Sequence, residues 1–307
     1  MTSNFASVVT GSALAVLVAL TGCAAATPVV APSASEPTRT PSPTPTVAPY
    51  AAGFEALEFE FDARLGVYAI DTATEREIAY RADERFAYAS TFKALAAAAV
   101  LQKNTPAEMQ RVVAFSRDDL VTYSPVTELR VDTGMTLLEI ADAAVRFSDN
   151  TAGNLLLDEL GGPGGFGAAL VAIGDDTTRA ERREPGLNEA VPGDARDTTS
   201  PRAFATDLRE FALGAAMAPD RQAVLIGMLT ANTTGATLIR AGVPSDWVVG
   251  DKTGSGGYGV RNDIAILWPP GREPIVMAIM SARDSTDAER YDALIARAAT
   301  AVVTALG

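Results

Sequence analysis

Serine and lysine residues occur in this chain in combinations that could carry nucleophilic chemistry. Ser90 is followed three residues later by Lys93, at the start of an alanine-rich stretch that is typical of a helix. Residues three apart share one helix face, so the lysine could hold or accept the serine proton. The tripeptides Ser-Asp-Asn at 148–150 and Lys-Thr-Gly at 252–254 follow. Taken singly, each motif also fits ordinary structure, namely a capped helix start or a strand end with a glycine turn.

Composition limits which chemistry is available. The 307 residues include no histidine and one cysteine, which excludes Ser-His, Cys-His and His-metal mechanisms, an internal disulfide and a cysteine zinc site. Lysine occurs three times against 22 arginines, and two of the three lysines, Lys93 and Lys252, lie in the motifs. The formal net charge of −13 argues against a nucleic-acid partner, because phosphate binding needs the opposite sign. We expect no metal and no cofactor.

The hydrophobic spacing predicts an α/β (α+β) chain with strands near both ends and helices in the middle. The predicted helices span 51–61, 91–102, 136–147, 154–160, 201–213, 221–229 and 287–305. The predicted strands span 65–70, 77–80, 247–253, 263–268 and 275–280. The simplest arrangement is a sheet built from both ends (about 51–85 and 232–307) beside an all-helical lobe (about 86–231). A cleft between the two is the expected place for a site. Gly254, Gly256 and Gly257 are expected to let a ligand approach the strand backbone.

The first fifty residues are interpreted as a processing segment and a tether. The apolar run 8–20 is too short to span a bilayer, which needs about 20 residues. It ends in Leu-Thr-Gly-Cys, which resembles a bacterial lipobox with Cys23 as the lipidated residue. We therefore expect a signal peptide at 1–22 and a Pro/Thr/Ser-rich spacer at 23–50. The expected location is outside the cytoplasm, lipid-anchored to the bacterial cell membrane, and release of a fraction is left open.

The order S-x-x-K, S-D-N, K-T-G is a signature of class A β-lactamases and penicillin-binding proteins. Over about residues 51–307 the chain resembles a class A serine β-lactamase. The segment 178–188 is similar to that family's omega-loop signature, with Glu184 and Asn188 in E-x-x-L-N. The resemblance implies an antiparallel sheet, a monomer, β-lactam substrates such as penicillins and cephalosporins, and hydrolysis through a serine acyl-enzyme that confers resistance.

The resemblance also implies roles for individual residues. Ser90 would be the nucleophile, Lys93 would help to activate it, and Ser148 would relay a proton to the leaving nitrogen. Lys252 would tune that relay, and Glu184 would hold the deacylating water. The base in acylation is left open between Lys93 and a water held by Glu184. The residues implied in substrate binding are Tyr123, Asn150, Asn188, Thr253, Gly254, Ser255 and Arg261. Residues expected to be structural near the site are Asp149, Asn154, Arg182 and Asp197.

Two rival functions share part of this pattern. A penicillin-binding D,D-peptidase that acts on peptidoglycan has the same serine and lysine chemistry, but lactams leave it acylated. Glu184 within E-x-x-L-N favours the hydrolase. A β-lactam sensor domain is a second rival, and it would need transmembrane segments, none of which is evident in the sequence.

Overall fold

The computed structural model describes residues 49–307. The predictions made for the signal peptide, for Cys23 and for nearly all of the tether lie outside the described residues. No helix within 49–307 is long and apolar enough to cross a membrane.

A five-stranded antiparallel sheet is built from both ends of the described chain. Its strands are β1 (Arg64–Asp71), β2 (Glu77–Tyr80), β7 (Val248–Ser255), β8 (Arg261–Trp268) and β9 (Ile275–Ala282). The spatial order is β2-β1-β9-β8-β7, and every pair is antiparallel. Strand β7 therefore forms an edge, and it is the edge that carries the Lys-Thr-Gly tripeptide. The predicted sheet is confirmed.

The sheet is covered on both faces, which explains why its strands read as nearly continuous apolar runs. Alternate residues of β1 point to opposite faces. Leu65, Val67 and Ala69 pack with helices near the chain ends, whereas Tyr68 and Ile70 pack with the helical lobe. The three helices on the first face are α1 (Ala51–Phe61), α8 (Ile239–Gly242) and α9 (Asp292–Leu306).

The central part of the chain forms the predicted helical lobe. Its helices are α2 (Phe92–Lys103), α3 (Leu137–Arg146), α4 (Asn150–Leu160), α5 (Pro163–Ala172), α6 (Pro201–Ala212) and α7 (Pro219–Thr230). Helix α2 lies at the centre and contacts the other five. Its alanines are buried, and their small side chains allow those neighbours to approach closely. Two short antiparallel pairs that the sequence did not predict also lie here: β3 (Phe86–Ala87) with β6 (Thr198–Thr199), and β4 (Val112–Val113) with β5 (Met135–Thr136).

Helices α5 and α8 were not predicted from the sequence, and two predicted helices start four or five residues away from the expected position. Helix α4 begins at Asn150 rather than at 154, because the Asp149 carboxylate accepts the Ala152 N–H and caps the helix there. Helix α9 begins at Asp292, five residues later than predicted. The intervening segment runs beside the turn after β7, where the Tyr258 N–H donates to the Thr286 carbonyl.

Candidate active site

Ser90 lies in a 3₁₀ turn, Ala89–Thr91, that leads directly into α2. The residue before it, Ala89, has a positive φ of 46°, and Ser90 itself is 8% exposed. The hydroxyl therefore lies at the positive end of a helix, at the floor of a cleft. The expectation that Ser90 opens the alanine-rich helix holds to within two residues.

Lys93 is fully buried directly behind Ser90. Its Nζ lies 2.8 Å from Ser90 Oγ, 2.9 Å from the Ser148 carbonyl and 2.5 Å from Asn150 Oδ1. It also forms an ion pair with Glu184 Oε1 at 2.9 Å, and both of these side chains are wholly shielded from solvent. Burial lowers the pKa of Lys93, and the Glu184 carboxylate opposes that shift. The ammonium is thus closer to losing its proton than a surface lysine would be.

The side chain of Asn154 makes hydrogen bonds to both the backbone N–H and the backbone carbonyl of Glu184. Asn154 Oδ1 accepts the Glu184 N–H at 2.9 Å, and Asn154 Nδ2 donates to the Glu184 carbonyl at 3.0 Å. The carboxylate lies 3.3 Å from Ser90 Oγ through Oε1, and Oε2 accepts from Asn188 Nδ2. Asn188 Oδ1 is buried and has no hydrogen-bond partner among the described residues. Asn154 therefore holds the backbone of Glu184 in place.

The loop that carries Glu184 is closed by a buried aspartate. Asp197 is fully buried and accepts the backbone N–H groups of Glu181 and Arg182, each at 2.9 Å. Its carboxylate also pairs with Arg182 Nε at 2.5 Å and accepts the Tyr88 hydroxyl at 3.0 Å. The predicted ion pair between Arg182 and Asp197 is present in the structure. It fastens the loop to the segment that precedes Ser90.

The Ser-Asp-Asn tripeptide forms the turn into α4, and its three side chains have different surroundings. Ser148 has a positive φ of 57° and is 8% exposed at the cleft. Asp149 is fully buried, and its oxygens accept the Val126, Thr127 and Ala152 N–H groups. Asn150 Nδ2 donates to the Thr122 carbonyl at 2.8 Å, which orients its Oδ1 towards Lys93.

Lys252 approaches Ser148 from the opposite wall. Its side chain is fully buried, and Nζ lies 3.0 Å from Ser148 Oγ and 2.7 Å from the Thr253 carbonyl. Burial lowers the pKa of Lys252 well below its usual value, and the nearby Lys93 ammonium lowers it further. Two lysines therefore flank the two serine hydroxyls, one behind each.

The edge of β7 presents hydroxyl and guanidinium groups beyond Lys252. Thr253 Oγ1 lies 2.7 Å from Thr234 Oγ1. Ser255 pairs with Arg261 across β7 and β8, and Arg261 Nη1 donates to Ser255 Oγ at 2.6 Å. Arg261 Nε is in turn paired with Asp292 at 2.6 Å. These groups form a row that can accept an anion.

Nine of the twelve predicted catalytic and substrate-binding residues line one cleft of about 880 Å³. The other three, Lys93, Glu184 and Lys252, are buried and contact Ser90 or Ser148 from behind. Tyr123 stands at its rim with 59% of its surface exposed. The residues that line the cleft are Ser90, Thr122, Tyr123, Ser148, Asn150, Pro185, Asn188, Thr233, Thr234, Thr253, Gly254, Ser255, Gly256, Gly257, Arg261 and Arg290. Among the described residues, no group of three or more His, Cys, Asp or Glu could hold a metal ion.

The three glycines predicted at the strand end line the cleft, and they also serve packing, which the sequence did not predict. A Cβ at Gly254 would lie 2.9 Å from the Tyr88 carbonyl, so the absence of a side chain lets β7 pass against the turn that holds Ser90. A Cβ at Gly256 or Gly257 would meet the Asn188 or Glu189 carbonyl at 3.0 and 2.6 Å. At these glycines, the group that approaches the strand closely is thus the protein's own backbone. The Glu184 loop packs directly against the turn at Gly256 and Gly257.

Sequence reasoning missed several residues at the site, and three of them matter for its chemistry: Thr234, Arg290 and Asp292. Thr234 lies just after α7 and contacts the hydroxyl of Thr253. Arg290 and Asp292 were assigned to a continuous helix, which gave no reason to place either one at the cleft. No local pattern distinguishes these residues, and only the contact between distant segments reveals them.

Comparisons with known proteins agree with this geometry. A family model described as the beta-lactamase enzyme family matches residues 51–306. The chain is 61% identical over 267 residues to a beta-lactamase of Amycolatopsis lactamdurans, covering 87% of this chain and 88% of that protein. It is 57% identical over 253 residues to a beta-lactamase of Bacillus subtilis, covering 82% and 83% of the two chains.

Solved structures give the same result for the fold. A class A beta-lactamase from Clostridium kluyveri superposes with a TM-score of 0.83 at 49% identity, covering 84% of this chain and 98% of that one. A halotolerant bacterial beta-lactamase superposes with a TM-score of 0.82 at 57% identity, covering 83% and 98%. The chain therefore belongs to the beta-lactamase enzyme family and has the class A fold.

Proposed function

We propose that this protein hydrolyses the amide bond of β-lactam antibiotics through an acyl-enzyme on Ser90, and that it thereby confers resistance to them. The observation that supports this most directly is the contact of Ser90 Oγ with both Lys93 Nζ and Glu184 Oε1, at 2.8 and 3.3 Å. A serine with a lysine and a carboxylate within reach has a base for each of the two half-reactions.

In the acylation step, Ser90 attacks the lactam carbonyl and loses its proton to Lys93 or, through a water, to Glu184. The backbone N–H groups of Ser90 and Ser255 serve as the oxyanion hole. The broken C–N bond leaves an amine nitrogen that takes a proton from Ser148, whose hydroxyl Lys252 supports from 3.0 Å. The substrate carboxylate binds at Thr253, Ser255 and Arg261.

In the deacylation step, a water attacks the ester carbonyl and Glu184 takes its proton. The bond from the carbonyl carbon to Ser90 Oγ then breaks, the acid product leaves, and Ser90 Oγ regains a proton from Glu184. Glu184 lies 3.3 Å from the serine oxygen that carries the acyl group, so a water beside it is close to the ester. Asn188 has an unpartnered Oδ1 at the same place, which can accept a hydrogen bond from that water. Asn150 and Tyr123 line the part of the cleft left for the acyl side chain.

Glu184→Gln tests this mechanism because it keeps the shape of the side chain and removes the base. We expect the variant to react with benzylpenicillin at Ser90 but to release product at least about 1,000-fold more slowly. Intact-mass spectrometry should then show a lasting adduct with the mass of the penicillin.

Ser90→Ala in the same background is the matched control, and it should abolish the adduct. Near-normal steady-state hydrolysis by Glu184→Gln would refute the assigned role. If the unmodified protein itself retained the adduct and cleaved D-Ala-D-Ala peptides, the peptidase function would replace the one proposed.

We further propose that the protein acts outside the cytoplasm as a monomer tethered to the cell membrane by a lipid on Cys23. Support comes from the Leu-Thr-Gly-Cys sequence at 20–23 and from the proline-rich stretch that follows it. Cys23→Ala should move the activity from the membrane fraction to the medium and leave kcat unchanged. Finding the unmodified protein unlipidated in the medium would contradict the proposal.

A further inference from the structure

The charged residues that line the cleft all have the same sign. Arg261 and Arg290 line it, and none of its lining residues is a carboxylate. This is notable in a chain whose formal net charge is −13, since most of its surface must repel anions. The question is which of these two guanidinium groups is left to attract an anion beyond the carboxylate common to β-lactams.

The two arginines differ in the contacts that their guanidinium groups already make. Arg261 is neutralised in part by Asp292, which pairs with its Nε at 2.6 Å, and its Nη1 is used by Ser255. Arg290 donates only through Nε, to the Gly256 carbonyl at 3.0 Å. It has no ion-pair partner within residues 49–307, and its terminal nitrogens make no hydrogen bond to the described residues.

Two contacts hold the segment around Arg290 beside the cleft. The bond to Gly256 places it next along the strand edge from Ser255. The following residue, Tyr291, packs its ring 5.4 Å from that of Phe61 and precedes the first turn of α9. A guanidinium held through Nε with both terminal nitrogens unused can bind a carboxylate bidentately.

We infer that Arg290 is a second anion-binding residue of the cleft and favours β-lactams that carry an acidic group in addition to the carboxylate common to the class. The inference rests on the proposed function. The common carboxylate is already matched by Thr253, Ser255 and Arg261. Arg290 is the remaining cation at the cleft surface, so it can bind a second acidic group on the acyl side chain or leaving group.

Benzylpenicillin and carbenicillin form a suitable pair of probes because they differ by one carboxylate on the acyl side chain. The quantity to measure is the ratio of kcat/KM for carbenicillin to that for benzylpenicillin. Arg290→Gln should lower this ratio about 3- to 10-fold, mainly through the KM of carbenicillin, as expected for loss of a partly exposed charge pair. Arg290→Lys should keep most of the ratio. Raising the salt from 0.05 to 0.5 M should lower the ratio of the unmodified protein towards that of Arg290→Gln.

Arg297→Gln is the matched control, because Arg297 lies on α9, pairs with Glu60 and does not line the cleft. It should leave the ratio unchanged. If Arg290→Gln slows both penicillins equally, Arg290 only supports the Gly256 turn and the inference is wrong. An unchanged ratio also refutes it, with the proposed function intact. If the unmodified protein hydrolyses neither penicillin, the proposed function and the inference fail together.

Discussion

A pair of buried carboxyl groups beneath the Glu184 loop should make stability depend on pH. Asp207, in the middle of α6, is 2% exposed, and it lines the same small cavity as Asp175, just after α5. Each has one carboxyl oxygen with no partner among the described residues. Asp175 Oδ1 also accepts the N–H groups of Thr177 and Thr178, where the chain enters the loop. The other charged residues at the small cavity beside them are Asp83, Asp176 and Arg202.

The size of the effect follows from the protonation of Asp207. Burial, together with the neighbouring Asp175 carboxyl group, raises the pKa of Asp207 from 3.8 to about 9. The folded protein therefore keeps a proton that the unfolded chain releases above about pH 4. A raised pKa contributes stability that is complete below about pH 4 and is lost as the pH rises towards 9. The free energy of unfolding should fall by about 1.4 kcal/mol per pH unit from this group, or about 4 kcal/mol between pH 5 and 8.

Asp207→Asn removes this titration and keeps a hydrogen-bond donor at this position. Urea unfolding of both proteins at pH 5, 6, 7 and 8 gives the difference in unfolding free energy, in which other titrations cancel. We expect the stability of Asp207→Asn relative to the unmodified protein to rise by about 1.4 kcal/mol per pH unit.

Asp176→Asn provides the control for this prediction, because Asp176 lines the same cavity but is exposed. Its stability difference from the unmodified protein should not change with pH. A flat difference for Asp207→Asn between pH 5 and 8 would show that Asp207 is ionised in the folded state. The statement that Asp207 keeps its proton in the folded protein would then be wrong.

Two further predictions concern the cleft. Arg261→Ser should raise the KM for benzylpenicillin about tenfold and change kcat less. The Tm should change little, because the Asp292 carboxylate left behind is partly exposed and can be hydrated. An unchanged KM would show that Arg261 does not bind the substrate. Gly254→Ala should lower kcat/KM at least about tenfold, because the new Cβ would lie 2.9 Å from the Tyr88 carbonyl and must shift the Ser90 turn. Near-normal steady-state rates would show that the turn can shift without loss of activity.

The catalytic part of the site could be predicted because its residues occur in short motifs, and each motif coincides with the end of an element. Ser90 precedes α2, Ser148 precedes α4, and Lys252 lies near the end of β7. Residues at element ends lie at the surface of the packed layers, so segments that are far apart in sequence can meet there. The absence of histidine strengthened the prediction, since it left lysine and carboxylate as the available bases.

The remaining features depend on packing that no local pattern encodes. The sequence does not show that Gly254 faces the Tyr88 carbonyl, because the two residues are separated by most of the domain. Asp207 reads as an ordinary polar position of an amphipathic helix, and only the loop after α5 makes it a buried acid. Arg290 is one of 22 arginines, and most of the arginines in the described residues have a carboxylate partner. What distinguishes Arg290 is that its segment follows the Gly256 turn before α9 begins. This brings to the cleft a charge that has no ion-pair partner in the described part of the chain.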